Sequence, residues 1–153
     1  MQIAVHRGVR VIGTAGPANQ DLLGALGATA TTYGPGLVER VHEIAPQGVD
    51  AALDLAGSGI IAELVELTGN PTAVLSIADF SAPQHGAQVS GAAGDRFAAY
   101  AEASRLWKAG VLSLPVQQSF PLQDAAAAQR LSQDGHVTGR LVIAVAGPVR
   151  PTA

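Results

Sequence analysis

Gly8-Val9-Arg10-Val11-Ile12-Gly13-Thr14-Ala15 is a run of β-branched residues ending in small ones, the pattern of a β-strand that feeds a tight turn. Three later stretches repeat it in kind: Thr29-Ala30-Thr31-Thr32-Tyr33, Gly48-Val49-Asp50-Ala51-Ala52-Leu53-Asp54 and Pro71-Thr72-Ala73-Val74-Leu75-Ser76-Ile77-Ala78. The stretches between them have helical spacing. Strands that alternate with helices predict a parallel sheet, because parallel neighbours need crossover connections. Such sheets take their ligands beyond the carboxyl ends of the strands. The first unit has no strand before it and no Gly-x-Gly-x-x-Gly turn.

Composition narrows the class. At 153 residues the chain reads as one domain with a sizeable core. Apolar residues make up 48% and charged residues only 14%, against an ordinary share of about 25%. So little charge predicts surface covered by a partner or by a missing part of the same protein, and a homo-oligomer is the expectation. The net charge of −3 leaves no basic stripe for nucleic acid. The apolar runs are too short for a membrane span and the start lacks a signal-peptide pattern, so the expected location is cytoplasmic. Without cysteine, disulfides and thiolate zinc sites are excluded, and the histidines have no paired spacing for a metal.

Along the chain, Met1–Arg7 reads as the tail of a helix stopped by Gly8, followed by the strand Val9–Gly13. Pro17 suits a first helical turn, with Leu22, Leu23 and Leu26 on one face before Gly27. Leu37, Val41 and Ile44 make an amphipathic helix that ends near Pro46. Val49–Leu55 is nearly all apolar, as a central parallel strand buried on both faces requires. Ile61, Leu64 and Val65 stripe the next helix, and Val74–Ala78 is another buried strand. Residues 81–94 turn to Gly, Ala, Ser and Gln, with a short strand around Gln88–Gly91. Asp95–Ala109 is helical, with Ala99, Ala103, Leu106 and Trp107 on one face as core or interface. Pro115–Phe120 reads as a strand, Pro121 opens a helix through Gln133, and Arg140–Ala146 is the last strand.

These residues resemble a family. Arg7–Ala15, Leu26-Gly27-Ala28, Tyr33, Gly48–Asp54 and Ser76-Ile77 are similar to the nucleotide-binding domain of zinc-free medium-chain dehydrogenase/reductases, the quinone oxidoreductase group. Leu112–Val116, Phe120–Ala126 and Gly135–Val142 resemble the same group's C-terminal pattern, in the same order. The resemblance implies a Rossmann-like α/β fold, a parallel sheet with helices on both faces, whose first strand is missing or replaced. It also implies that the N-terminal catalytic domain and the glycine-rich pyrophosphate turn lie outside the match. In that family the lost strand runs between the equivalents of Val9–Gly13 and Val49–Leu55. Its absence leaves two unpaired ladders, to be filled by another strand such as Arg140–Ala146 or by an exchange between subunits, unless the domain is remodelled for another purpose.

Candidate site residues follow the strand ends. The resemblance assigns cofactor contacts to Gly13, Thr14, Ala15 and Asn19, to Tyr33, to Leu55 and Gly57, and to Ser76, Ile77 and Ala78. An NAD-selective site places an acid after its second strand to hold the ribose 2′-hydroxyl. Here that turn is Gly13-Thr14-Ala15-Gly16, so NADP(H) is the expected cofactor. Gly16 and Asn19 stand where the family often has Ser and Lys, which weakens the grip on a 2′-phosphate. The plainer readings are a tight turn at Gly13–Gly16 and a core cap at Tyr33. Asp54-Leu55-Ala56-Gly57-Ser58-Gly59 lets backbone N–H groups approach a ligand. It also resembles the first motif of S-adenosylmethionine methyltransferases, but two strand–helix units precede it here.

For acid–base chemistry the best pair is Asp79 and His85, which flank a strand end; the plainer alternative is two solvated polar residues. His136 in the Gly-His tail pattern reads as structural, and His42-Glu43 as a solvated helix face. There is no Gly-x-Ser-x-Gly elbow, and Tyr100 lacks a lysine four residues on. The resemblance implies hydride transfer from NADPH to a quinone or enone, weak or absent in the isolated chain for want of the pyrophosphate turn. A stand-alone non-redox enzyme of cyclase or isomerase type that takes a small-molecule ligand in the same cleft is the second reading. A non-catalytic binding or assembly module is the third.

Overall fold

Gly8 takes a φ of 77°, open to glycine at little cost, and so ends helix α1 (Gln2–His6) in the left-handed turn that its position predicts. The computed structural model describes residues 1–91, 94–135 and 137–145. His136 and Ala146 therefore lie outside the described residues. The chain divides into two compact units, Met1–Glu102 and Ala103–Ala153.

In the first unit β1 (Ile12–Thr14) leads through a 3₁₀ turn, Pro17–Asn19, into α2 (Gln20–Ala25). Then follow β2 (Thr29–Thr31), α3 (Leu37–Ile44), β3 (Ala52–Asp54), α4 (Ile61–Thr68), β4 (Val74–Ser76) and β5 (Gln88–Val89). β1 and β2 pair in parallel, with Ile12 opposite Thr29 and Thr14 opposite Thr31. β3, β4 and β5 form a second parallel ladder, with Asp54 opposite Ser76 and Ser76 opposite Val89. The helical stripes read in the sequence close this core. Leu37 and Val41 of α3 meet Ile61, Leu64 and Leu67 of α4 over Val74, Ala82 and Ala87. Ile12 of β1 and Ala52 of β3 pack against the same cluster. Burying each large aliphatic side chain there contributes about 1.5–3 kcal/mol. Parallel strands joined by helical crossovers make this a Rossmann-like α/β arrangement.

The strands are shorter than the sequence predicts. Val9–Gly13 contracts to β1, and Val49–Leu55 contracts to β3. β1 and β3 belong to separate sheets, so among the described residues each keeps one free edge, where the resemblance places a further strand. The expectation that Val49–Leu55 is buried on both faces fails at Leu53, which is 65% exposed although it sits mid-strand. Strand alternation puts Leu53 on the face opposite Ala52, which packs on the core, and the buried Asp54. Ile77 N donates to Asp54 O, so Asp54 turns its backbone groups towards β4 and Leu53 turns its own to the other edge.

Among the described residues, Arg140–Ala146 does not pair with β1 or β3. Its described part is β7 (Arg140–Ala144), which pairs in parallel with β6 (Val116–Pro121), from Val116 opposite Arg140 to Pro121 opposite Ala144. The six residues of β6 offer a longer partner than the three of β1 or β3. In the second unit, Pro121 ends β6 in extended geometry instead of opening a helix. A 3₁₀ turn, Leu122–Asp124, intervenes before α6 (Ala125–Gln133). α5 (Arg96–Lys108) runs across the division between units. It buries Leu106, while Trp107 is 58% exposed and so is not a core residue. Among the described residues no helix is long and apolar enough to cross a membrane.

Candidate functional site

The carboxyl ends of β3 and β4 are tied by two buried side chains. Asp54 and Ser76 stand opposite each other in the ladder, and both strands end there. Ser76 Oγ donates to Asp54 Oδ2 at 2.6 Å. Asp54 Oδ1 accepts from Ala56 N at 3.1 Å and Gly57 N at 3.0 Å. Ser76 Oγ in turn accepts from Ala78 N at 3.1 Å and Asp79 N at 2.7 Å. Burial pushes the Asp54 carboxyl up, but the hydrogen bonds from Ser76, Gly57 and Ala56 outweigh it and leave the pKa lowered from 3.8. Asp54 is therefore ionised at neutral pH, held by these three donors.

The turns so fixed touch. Gly57 has a φ of 65°, and a Cβ there would lie 2.9 Å from Ala78 O, so only glycine fits without displacing backbone. Leu55 and Ile77 point outward beside it, and Phe80 is 80% exposed. Asp79 uses one carboxylate oxygen, Oδ1, to accept from Ser81 N and Ser81 Oγ. His85 closes the 3₁₀ turn Ala82–His85 and is exposed. No described hydrogen bond joins Asp79 to His85, so the two flank the turn as separate groups.

At the ends of β1 and β2 the organiser is Gln20, a residue no sequence motif marks. Its Nε2 donates to Ala15 O at 2.5 Å and to Thr31 O at 3.0 Å, stapling one strand end to the other. Gly13 packs under Leu23, which a Cβ would approach to 3.3 Å, so it is a packing position. Thr14 is exposed at the strand end, Ala15 and Asn19 are half-buried, and Asn19 stands at the N-cap position of α2. Tyr33 is exposed, with its hydroxyl 3.6 Å from where a Gly16 Cβ would stand. The β2–α3 turn is held by Arg40, which donates to Thr32 O at 2.9 Å and Pro35 O at 2.8 Å. A lone Gln or Arg in a helix carries no signal of such a role. Both are defined only by which carbonyls the fold brings within reach.

Thr14–Gly16 and the exposed Tyr33, whose hydroxyl lies near Gly16, are the residues that would hold the adenosine–ribose end of a dinucleotide. A pyrophosphate needs backbone N–H groups at a glycine-rich helix start. The chain has no Gly-x-Gly-x-x-Gly, and its residues do not fit that part. Among the described residues no group of three or more His, Cys, Asp or Glu is placed to hold a metal ion.

Parallel ladders with their loops gathered at the carboxyl ends define the class, a Rossmann-like α/β domain. The chain belongs to the zinc-binding dehydrogenase family, whose model matches residues 26–143. It is similar in structure to an NAD-dependent alcohol dehydrogenase, with a TM-score of 0.77 and 24% identity over 95% of this chain and 46% of that one. A quinone oxidoreductase from Coxiella burnetii gives a TM-score of 0.75 and 25% identity over 95% of this chain and 48% of the other. A quinone oxidoreductase from Pseudomonas syringae pv. Tomato gives 0.69 and 21% over 93% and 51%. The chain thus spans about half the length of the solved structures it matches. No curated protein matches it in sequence. The resemblance to medium-chain dehydrogenase/reductases holds.

Proposed function

We propose that the chain is the nucleotide-facing part of an NADPH-dependent oxidoreductase of the quinone oxidoreductase type, acting on a quinone or an enone. The observation that carries this is the turn after β1, where Thr14-Ala15-Gly16 sits beside the exposed Tyr33 with no acid to favour the 2′-hydroxyl of NADH. The turns Leu55–Gly57 and Ile77–Ala78 contribute the remaining wall. Asp79 or His85 stands nearest the reacting carbon and exchanges the proton that accompanies reduction of a carbonyl oxygen.

Because the pyrophosphate turn is lacking, these 153 residues by themselves bind NADPH weakly, and NADH more weakly still. Calorimetric titration with each nucleotide tests both statements. A low-micromolar Kd for NADPH on the 153-residue protein, or a preference for NADH, overturns them. Asp79→Asn and His85→Ala test the proton role: turnover retained in both variants assigns them structural parts. Self-association belongs to the same proposal and rests on the 14% charged fraction and on exposed Phe97, Tyr100 and Trp107.

A further inference from the structure

Ser76 stands among the residues assigned to cofactor contact, yet its side chain is 0% exposed and has nothing left to give. A hydroxyl offers one donor and two lone pairs. All three are used, by Asp54 Oδ2, Ala78 N and Asp79 N. Asp54 is 3% exposed, and its two oxygens take Ser76 on one side and Ala56 and Gly57 on the other. Neither side chain can reach a ligand.

We infer that Asp54 and Ser76 are paired positioning residues that lock the turns after β3 and β4 into one unit, acting on a ligand only through that unit's backbone and the exposed Leu55 and Ile77. This rests on the dinucleotide reading of the carboxyl edge. The close approach of Gly57 to Ala78 O is an independent sign that the two turns are built as one surface. The pair also dictates its own chemistry. Asparagine at position 54 would aim an N–H at an oxygen whose lone pairs are both taken, so only an acceptor-only carboxylate fits. A local cap would behave differently, because asparagine keeps the Oδ1 that holds Ala56 and Gly57.

Amide exchange by NMR on the 153-residue protein separates the two. Ser76→Ala speeds exchange on the order of tenfold at Ala56 and Gly57, on the other turn, as well as at Ala78 and Asp79, while Leu64 and Leu67 stay protected. Asp54→Asn speeds all four in the same way. Ser76→Ala that leaves Ala56 and Gly57 unchanged, or Asp54→Asn that leaves Ala78 unchanged, overturns the inference. The unmodified protein gives a check free of folding defects: the amide shifts of Ala56, Gly57 and Ala78 follow one common acid titration, and separate midpoints overturn the pair. NADPH at millimolar concentration is the ligand probe, expected to move the amides of Leu55 and Ile77. Uncoupled turns sink the pair whatever NADPH does. Coupled turns whose amides ignore NADPH sink the dinucleotide reading and the positioning role with it.

Discussion

Asp54 shows how one side chain carries a pH dependence. Its folded pKa lies below the unfolded value, because Ser76, Gly57 and Ala56 donate to the ionised form. The stabilisation is therefore fully present above the unfolded pKa and is lost as pH falls through the folded one. Unfolding by urea becomes easier below about pH 4, and Asp54→Asn flattens that acid limb while costing about 1–3 kcal/mol near neutral pH. Comparing the urea midpoints of both proteins at neutral and acid pH checks it; equal slopes would place the acid sensitivity elsewhere. Gly57→Ala combines a strained φ of 65° with a 2.9 Å approach to Ala78 O. It loses about 1–3 kcal/mol, read from the thermal midpoint.

Among the elements, the helices are the better written. Leu37, Val41, Ile61 and Leu64 are buried where their spacing puts them, because a stripe at helical period has one face to hide whatever lies beneath it. Ile61 is 1% exposed at the start of α4, and Ile61→Ala costs about 2–5 kcal/mol in urea unfolding. Strand lengths were not legible, since a strand extends only as far as its neighbours pair. β1, β2, β3 and β4 each stop at three residues, the length over which their ladders pair. Strand alternation turns the N–H groups of Ile12, Thr14 and Leu53 to the free edges of β1 and β3. They exchange with solvent at least about tenfold faster than Gly13 and Asp54, which face their ladder partners. Equal protection in the two sets would mean that both edges are covered in solution.

For the molecule as a whole, exposed Leu53 and Phe80, the aromatic side chains of α5 and the free edges of β1 and β3 leave apolar surface that self-association would bury. Light scattering at high micromolar concentration is expected to give a mass above that of one chain. Phe97→Ser with Trp107→Ser is expected to lower that mass without changing the far-ultraviolet circular dichroism. A clean monomer for the unmodified protein refutes the proposal.

By itself the sequence determined the class of fold, the helix faces, the family and the list of strand ends, all of which follow from local periodicity and from short motifs read in order. Only the tertiary structure decided that β7 pairs with β6, that β1 and β3 keep free edges, and that Leu53 is uncovered. It likewise showed Ser76, a candidate cofactor contact, as a buried partner of Asp54 and gave Gln20 and Arg40 their carbonyls. The physical reason is the same in each case: pairing and hydrogen bonding join residues far apart in the chain, and residue identity at either end does not specify which partner the fold will deliver.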